Sequence, residues 1–318
     1  MISREKDRAG NDHNARAAGA AGQLVLVAVP IGNINDITPR ALKTLAGADV
    51  IAAEDTRTTM NLFSSLEAAG MTAICPDEDE DFLKEARHKL ISYHDHNEAQ
   101  RRDTLLRYLS EGKTVAVVTD AGTPGISDPG EDIVREAVSQ GYQVTAVPGA
   151  VAFVNGLIMS GLSTRRFVFE GFLHNDNKER RTVLESLRYE SRTIVLYEAP
   201  HRLVKTIGEL SEIMGSDRKL VLARELTKKY EEVVMRSIGE WLAYFEDNEP
   251  RGEYVMIIEG LQNGERIKAR ETAFWSDMTV QEHFEYYVEK GMKRNDAVKA
   301  VAADRSLPKR EIYDQVMR

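Results

Sequence analysis

Cysteine is nearly absent from this chain: Cys75 is the only one in 318 residues, which excludes an internal disulfide and a thiolate metal cluster. Long apolar runs are missing too, none approaching the ~18 residues that a membrane span needs. The opening stretch MISREKDRAGNDHNARAAGAAG lacks the apolar core of a signal peptide, and its acidic residues argue against a transit peptide. Residues 1–22 are therefore expected to form a disordered tail on a cytoplasmic protein with no membrane partner. The familiar nucleotide signatures are absent as well. Glu111-Gly112-Lys113-Thr114 contains the GKT of a P-loop, but Arg107 stands where its first glycine belongs and the segment precedes a strand. No G-x-G-x-x-G follows any strand, which removes the main support for a dinucleotide-binding dehydrogenase. His94 and His96 alternate at a strand end, but no third ligand accompanies them, so no metal is expected.

Positive charge is also in short supply. With 42 Lys and Arg against 51 Asp and Glu the net charge is −9, which speaks against a nucleic-acid partner unless a local basic patch does the binding. Candidate patches are Lys178, Arg180 and Arg181 in HNDNKERR, then Lys228 with Lys229, Lys293 with Arg294, and Lys309 with Arg310. Each reads equally well as solvated surface.

What is present is a regular alternation. Apolar runs at 23–30, 49–55, 90–95, 114–120 and 143–149 alternate with amphipathic stretches, the pattern of a mostly parallel sheet covered by helices. Thr38 before Pro39 reads as a helix cap, and Asp128-Pro129-Gly130-Glu131 repeats that start with a capping-box glutamate. A second α/β layer follows, with a helical stretch at 150–162, strands expected at 166–172, 193–199, 219–226 and 253–260, and helices at 179–190 and 202–215. Three short helices are expected after the polar stretch LQNGERIKARET, and two of them could form a helix-turn-helix or a plain helical appendage.

The strand ends carry the functional signal. The first five deliver Pro30-Ile31-Gly32-Asn33, Glu54-Asp55-Thr56-Arg57, His94-Asp95-His96-Asn97, Asp120-Ala121-Gly122-Thr123-Pro124 and Pro148-Gly149-Ala150. In an open α/β sheet ligands bind outside the carboxyl ends of the strands, so these segments should line one crevice. TDAGTPGISDPG (119–130) packs more glycine, proline and aspartate into one loop than a solvated turn needs, as if built to hold a ligand near its backbone.

Taken in order, VAVPIGNINDITPRAL, AAEDTRTT, ISYHDHNE, TDAGTPGISDPG, VPGAVA, FEGF, YEAPHR, ARELTKKYEE and PRGEYVMIIEG resemble the tetrapyrrole methylase superfamily over residues 23–262. AEDTR, GTPGISDP and YEAPHR together are similar to its branch of bacterial 2′-O-ribose methyltransferases acting on 16S ribosomal RNA. The resemblance implies two α/β domains (23–148 and 149–262) with a cofactor cleft between them, and a linker with a small helical domain at 263–318. It further implies S-adenosylmethionine as cofactor, a cytidine of the decoding region as target, the small ribosomal subunit as partner, and a homodimer. Pro30, Asp120, Thr123, Ala150 and Phe172 are the cofactor-contacting positions carried over, with Ala199, Ala223 and Tyr254 from the second domain. Where relatives have serine after the fifth strand this chain has Val151, so a hydroxyl contact there is lost.

A ribose hydroxyl is a poor nucleophile and calls for a general base or a cation near the developing alkoxide. Asp55, Arg57, Glu225 and Lys228 are the candidates, although each acid could simply pair with its neighbouring base. Arg57, Arg202, Lys228, Lys229 and the loop from His174 to Arg181 are the candidate RNA grip, with Tyr93, Phe172 and Tyr197 available for stacking. Two other readings remain at this point: methylation of a tetrapyrrole precursor, and a nucleic-acid-binding adaptor without catalysis.

Overall fold

The computed structural model describes residues 22–75, 81–261, 274–305 and 307–316. The expected tail, apart from its last residue, and most of the expected linker lie outside these. The chain divides after Ala150 into two compact units.

In the first unit, β1 (Gln23–Val27), β2 (Val50–Ala53), β3 (Leu90–Ser92), β4 (Thr114–Val118) and β5 (Gln143–Val147) form one sheet in the order β3-β2-β4-β1-β5. Every pairing in it is parallel. Both faces are covered, so the inner strands are apolar on both sides, and Val115 to Val118 are all buried. On one face lie α1 (Pro39–Gly47), α2 (Thr56–Ala68) and α3 (Phe82–Arg87), contributing Leu42, Leu45, Phe63, Leu66 and Leu83 to the core. On the other lie α4 (Glu98–Ser110) and α5 (Glu131–Ser139), contributing Leu105, Leu109, Ile133 and Ala137. The chain leaves β1 towards α1 and leaves the adjacent β4 towards α5, so two neighbouring strands send their connections to opposite faces. That is a topological switch point, where the fold opens a crevice.

Thr38 caps α1 as expected, its Oγ1 accepting from the Ala41 amide at 3.1 Å. The expected Asp128 start of α5 is displaced. Gly125 N–H donates to the Pro129 carbonyl at 3.2 Å, which keeps Pro129 in the loop, and Gly130, at φ +136°, becomes the cap instead. Cys75 is buried, its Sγ 3.6 Å from the Pro39 carbonyl.

The second unit begins with α6 (Ala152–Met159) and contains β6 (Phe167–Phe172), α7 (Asn177–Ser186), β7 (Thr193–Glu198), α8 (Pro200–Met214) and β8 (Lys219–Arg224), followed by β9 (Glu232–Ser237), α9 (Ile238–Asp247) and β10 (Tyr254–Ile258). Its sheet runs β6-β7-β10-β8-β9, with only β6 and β7 parallel. Neither β9 nor α9 was expected. Val233, Val234 and Met235 form an apolar run of only three residues, a weak strand signal, and the tertiary pairing with β8 supplies what local propensity does not. Helix α6 covers one face so closely that a Cβ at Gly156 would stand 3.1 Å from Val255 Cγ1. Leu184, Leu203, Ile207, Leu210 and Trp241 cover the other, against Leu196, Leu220 and Met256.

Three further helices, α10 (Val280–Glu289), α11 (Arg294–Arg305) and α12 (Lys309–Val316), close around Phe284, Val298, Val301 and Ile312, and α11 rests on α7. No helix among the described residues is long and apolar enough to cross a membrane.

A buried ion network holds the helix-covered face of the second unit. Glu198, wholly enclosed at the end of β7, accepts from Thr206 Oγ1 at 2.5 Å, lies 3.4 Å from Arg180 Nη2 and 3.2 Å from Arg202 Nε, and takes the Ala199 amide at 3.0 Å. Removing it takes a shared carboxylate from two guanidinium groups in low dielectric and leaves Arg180 with Glu209 alone. Glu198→Ala is expected to lower the stability of this unit by about 3–5 kcal/mol, seen as a lower urea midpoint by Trp241 fluorescence.

Candidate active site

The rim of the first sheet is fastened at four points. Val29 and Gly122 exchange backbone hydrogen bonds of 2.8 and 3.2 Å, joining the segment after β1 to the loop after β4 across the switch point. Thr123 Oγ1 donates to the Ala150 carbonyl at 3.0 Å, joining the same loop to the segment after β5. Glu98 Oε1 accepts from the Gly130 amide at 3.2 Å and from Tyr93 Oη at 2.6 Å, which fixes the loop's far end to α4. The fourth point is a reciprocal clasp: the Asp120 amide donates to Glu54 Oε2 and the Asp55 amide to Asp120 Oδ1, both at 3.1 Å. Pro30, Asp120, Thr123 and Ala150, four expected cofactor positions, thus lie along one rim.

Two glycines show how little room the backbone leaves. Gly122 has φ +83°, and a Cβ there would stand 3.3 Å from Ile31 Cγ2 and 3.6 Å from the Ala150 carbonyl oxygen. A Cβ on Gly149 would meet that of Ala28 at 2.8 Å, closer than real side chains come.

The rim is acidic. Burial pushes the Glu54 carboxyl above its ordinary value, and the charges of Asp120 and Asp95 push the same way. Asp120 is raised likewise, by burial first and then by Asp55. Asp55 goes the other way, to about 2, because Arg57 donates to both its oxygens and backbone amides of α2 add to this. Asp55 is therefore a capped, ion-paired carboxylate and a feeble base. Glu54, one of the strand-end residues, was not among the expected catalytic or cofactor positions; its place immediately after β2 was the available signal. His94 faces this group, with its Nε2 3.1 Å from Asn97 Nδ2. Among the described residues no three metal-ligating side chains are gathered.

Of the expected cofactor positions in the second unit, Phe172 is exposed at the end of β6, its ring 5.3 Å from that of Tyr197. Tyr197 Oη accepts from the Phe153 amide at the start of α6. Ala199 is the cap position of α8. Ala223 is buried mid-sheet opposite Val255. Tyr254 stands apart: strand alternation turns it to the opposite face from Val255, into the core with Trp241, and its hydroxyl takes the Arg251 amide. As a cofactor contact through its side chain it is corrected.

The basic residues sort sharply. Arg180 is only 2% exposed and is spent on Glu198, Glu209 and Thr206, because α7 begins at Asn177 and turns it inward. Arg202 donates to the Leu173 carbonyl at 2.6 Å and to Asn175 Oδ1 at 2.7 Å, so it clamps the loop after β6. Both are withdrawn from the RNA grip, and so is Tyr93 as a stacking ring, being 1% exposed. Lys178 and Arg181 stay on the surface of α7, Arg181 paired to Glu185 at 2.9 Å.

Arg57 is 83% exposed while held by Asp55 at 2.8 Å. Lys228 is held by Glu225 at 3.1 Å, in a loop where Glu225 and Thr227 have φ of 51° and 66°. A β-branched residue in that region is strained. Lys229 lies over the Tyr230 ring at 5.4 Å, and Tyr230 is 71% exposed.

A doubly wound parallel sheet with a glycine-lined, acid-bearing loop at its switch point, followed by a mixed α/β unit, defines the class of α/β proteins whose fold provides a small-ligand crevice at the sheet rim. The chain belongs to the Tetrapyrrole (Corrin/Porphyrin) Methylases, whose family model matches residues 23–241. It is 41% identical over 293 residues to Ribosomal RNA small subunit methyltransferase I of Bacillus subtilis (strain 168), covering 92% of this chain and 93% of that protein. It is 40% identical over 239 residues to the protein of the same name from Thermotoga maritima, covering 75% of this chain and 99% of that one. Among solved structures it is similar to diphthine synthase (TM-score 0.52, 14% identity, 78% of this chain and 94% of that one). It is similar also to uroporphyrin-III C-methyltransferase from Thermus thermophilus complexed with S-adenyl homocysteine (TM-score 0.50, 17% identity, 79% and 100%). These two likenesses speak for the fold.

The left-handed backbone at Gly122 sets an expectation. Gly122→Ala should lower stability by about 1–2 kcal/mol, whereas Gly47→Ala, in a helix with open space at its Cβ, should leave it unchanged or slightly higher. Urea midpoints compare the two.

Proposed function

We propose that this chain transfers the methyl group of S-adenosylmethionine to the 2′-oxygen of a cytidine in the decoding region of small-subunit ribosomal RNA, working in the cytoplasm as a homodimer. The observation that carries the reading is the clasp between Glu54-Asp55 and Asp120, in which the AEDTR string is tied to the head of TDAGTPGISDPG at the rim of the first sheet. Relatives at about 40% identity are named as ribosomal RNA methyltransferases, whereas the uroporphyrin-III C-methyltransferase structure stands at 17%. That difference favours RNA over a tetrapyrrole.

The rim fits the cofactor. S-adenosylmethionine carries an ammonium and a sulfonium, and the rim offers the carboxylates Glu54 and Asp120 beside the close-packed loop at Gly122 and Thr123. Pro30 and Ala150 would hold it by backbone and shape, with Phe172, Ala199 and Ala223 as second-domain contacts. When bound, it supplies an already activated methyl group, so the protein's part is alignment and charge. Arg57 and Lys228, each fixed by an acid, are the cations offered to the developing alkoxide, with Asp55 and Glu225 as their positioning partners. Lys178, Arg181 and Lys229 neutralise phosphates, and Tyr230 offers an exposed ring. The division into domains at 23–148, 149–262 and 263–318 belongs to the same reading. The apolar surface of α6, with Val154, Ile158 and Met159 exposed, is the face offered to a second copy.

The direct test is mass mapping of 16S ribosomal RNA from cells with and without the gene, alongside labelled methyl transfer to small subunits in vitro. A cytidine that gains a 2′-O-methyl group only with the gene is the expected result; labelling of a tetrapyrrole in preference to subunits contradicts it. Lys228→Ala should cut methyl transfer about 10–100-fold with cofactor affinity unchanged by calorimetry, and Lys228→Arg should retain part of the rate. Protonation gives a second prediction. The raised Glu54 and Asp120 carboxyls must be ionised to attract a cation, so cofactor affinity should fall as pH drops from about 7 towards about 4.5. Glu54→Gln should weaken binding roughly two- to tenfold at neutral pH and flatten that profile.

A further inference from the structure

The helix-covered face of the second sheet carries, near its open edge at β9, a cavity of about 540 Å³ lined by Arg224, Glu232, Arg236, Tyr244, Phe245 and Arg251 among others. This is the size of a small-ligand site, and none of the residues already placed in catalysis or in the RNA grip lines it. Its charges are unevenly satisfied. Arg224 Nε donates to Glu232 at 2.6 Å and is neutralised there. Arg236 is not: its guanidinium lies 5.1 Å from the ring centres of both Trp241 and Tyr244, and its enclosed Nε has no hydrogen-bond partner among the described residues. The acid that feels its charge, Glu240, is engaged in the capping box of α9 through the Ser237 amide at 2.7 Å. Leaving a buried donor unmade costs about 1–3 kcal/mol, and such a group in a native protein calls for a reason.

The lining names the class of ligand. Arg236 and the exposed Arg251 offer cation donors for an anion, the half-buried Tyr244 and Phe245 offer rings for a planar group, and Asp247 and Glu249 offer acceptors for an amino group. A phosphate, a flat heterocycle and an exocyclic amine occur together in a cytidine, adenosine or guanosine nucleotide. We propose that this trough is a nucleotide subsite that takes one phosphate and one amino-bearing base of the single-stranded RNA substrate, with the phosphate on Arg236 and Arg251. The proposal rests on the RNA reading above and extends the substrate surface beyond the strained loop at 225–231.

Trp241 forms part of the wall and Trp275 is the chain's other tryptophan, so the full-length Trp275→Phe protein reports on the trough by fluorescence. It is titrated with cytidine 5′-monophosphate, with inorganic phosphate and with a short oligocytidylate. The expected result is a saturable change with both nucleotide ligands, stronger for the oligonucleotide and absent with phosphate at equal concentration. Arg236→Gln and, independently, the surface change Arg251→Gln should each weaken it about tenfold while cofactor affinity by calorimetry stays the same. No change with any ligand, the same response to phosphate alone, response to the mononucleotide only, or full affinity in both variants overturns the proposal. Methyl transfer to small subunits is measured in parallel. Transfer without trough binding sinks the subsite alone, and trough binding without transfer sinks the methyltransferase reading instead.

Discussion

The pair of backbone hydrogen bonds between Val29 and Gly122 is the constraint on which the first unit's site depends. It spans β1 and β4, the adjacent strands whose connections leave to opposite faces, and so holds open the place where the fold provides a crevice. Gly122 can make that bridge because its left-handed backbone carries no side chain to collide with Ile31 or with the Ala150 carbonyl. With the bridge made, Thr123 reaches Ala150 and Asp120 reaches Glu54 and Asp55. The ends of β1, β2, β4 and β5 become one surface.

Electrostatics sets the character of that surface. Two carboxyls kept reluctant to ionise by burial, Glu54 and Asp120, sit beside one that ionises readily because Arg57 grips it. Such a rim repels phosphate and attracts a cationic donor. Phosphate recognition must then fall to cations displayed elsewhere, which reconciles an overall charge of −9 with an RNA partner. Arg57 and Lys228 are fixed by acids yet remain accessible, whereas Arg180 and Arg202 are consumed by Glu198 and the loop after β6. Basic residues thus divide between those spent inside the fold and those left on its surface, and Arg236, cation-stacked and with its enclosed Nε unbonded among the described residues, belongs to neither set.

Much of the fold was legible in the chain. Apolar runs between turn residues foretold the five strands of the first sheet and four of the second, because a strand buried on both faces must be apolar throughout. Thr38 before Pro39 foretold a helix start for a local reason, a side-chain oxygen facing an unpaired amide. Strand β9 was not legible, since EVVMRS becomes a strand by pairing with β8. Asp128 failed as a cap because a bond across the loop, from Gly125 to Pro129, outcompeted it.

The sequence by itself determined the alternation of strands and helices, the placing of glycine and acid at strand ends, and the strings that tie the chain to its family. All of these are local in the chain, set by periodicity and backbone permissiveness. Only the tertiary structure decided which charges are free. Whether Arg180 faces water or Glu198, and which side of the sheet Tyr254 takes, depend on neighbours brought in from distant parts of the chain; Asp55, clamped by Arg57 two positions on, is the local exception. Burial and pairing are properties of the packed chain, and no run of residues carries them alone.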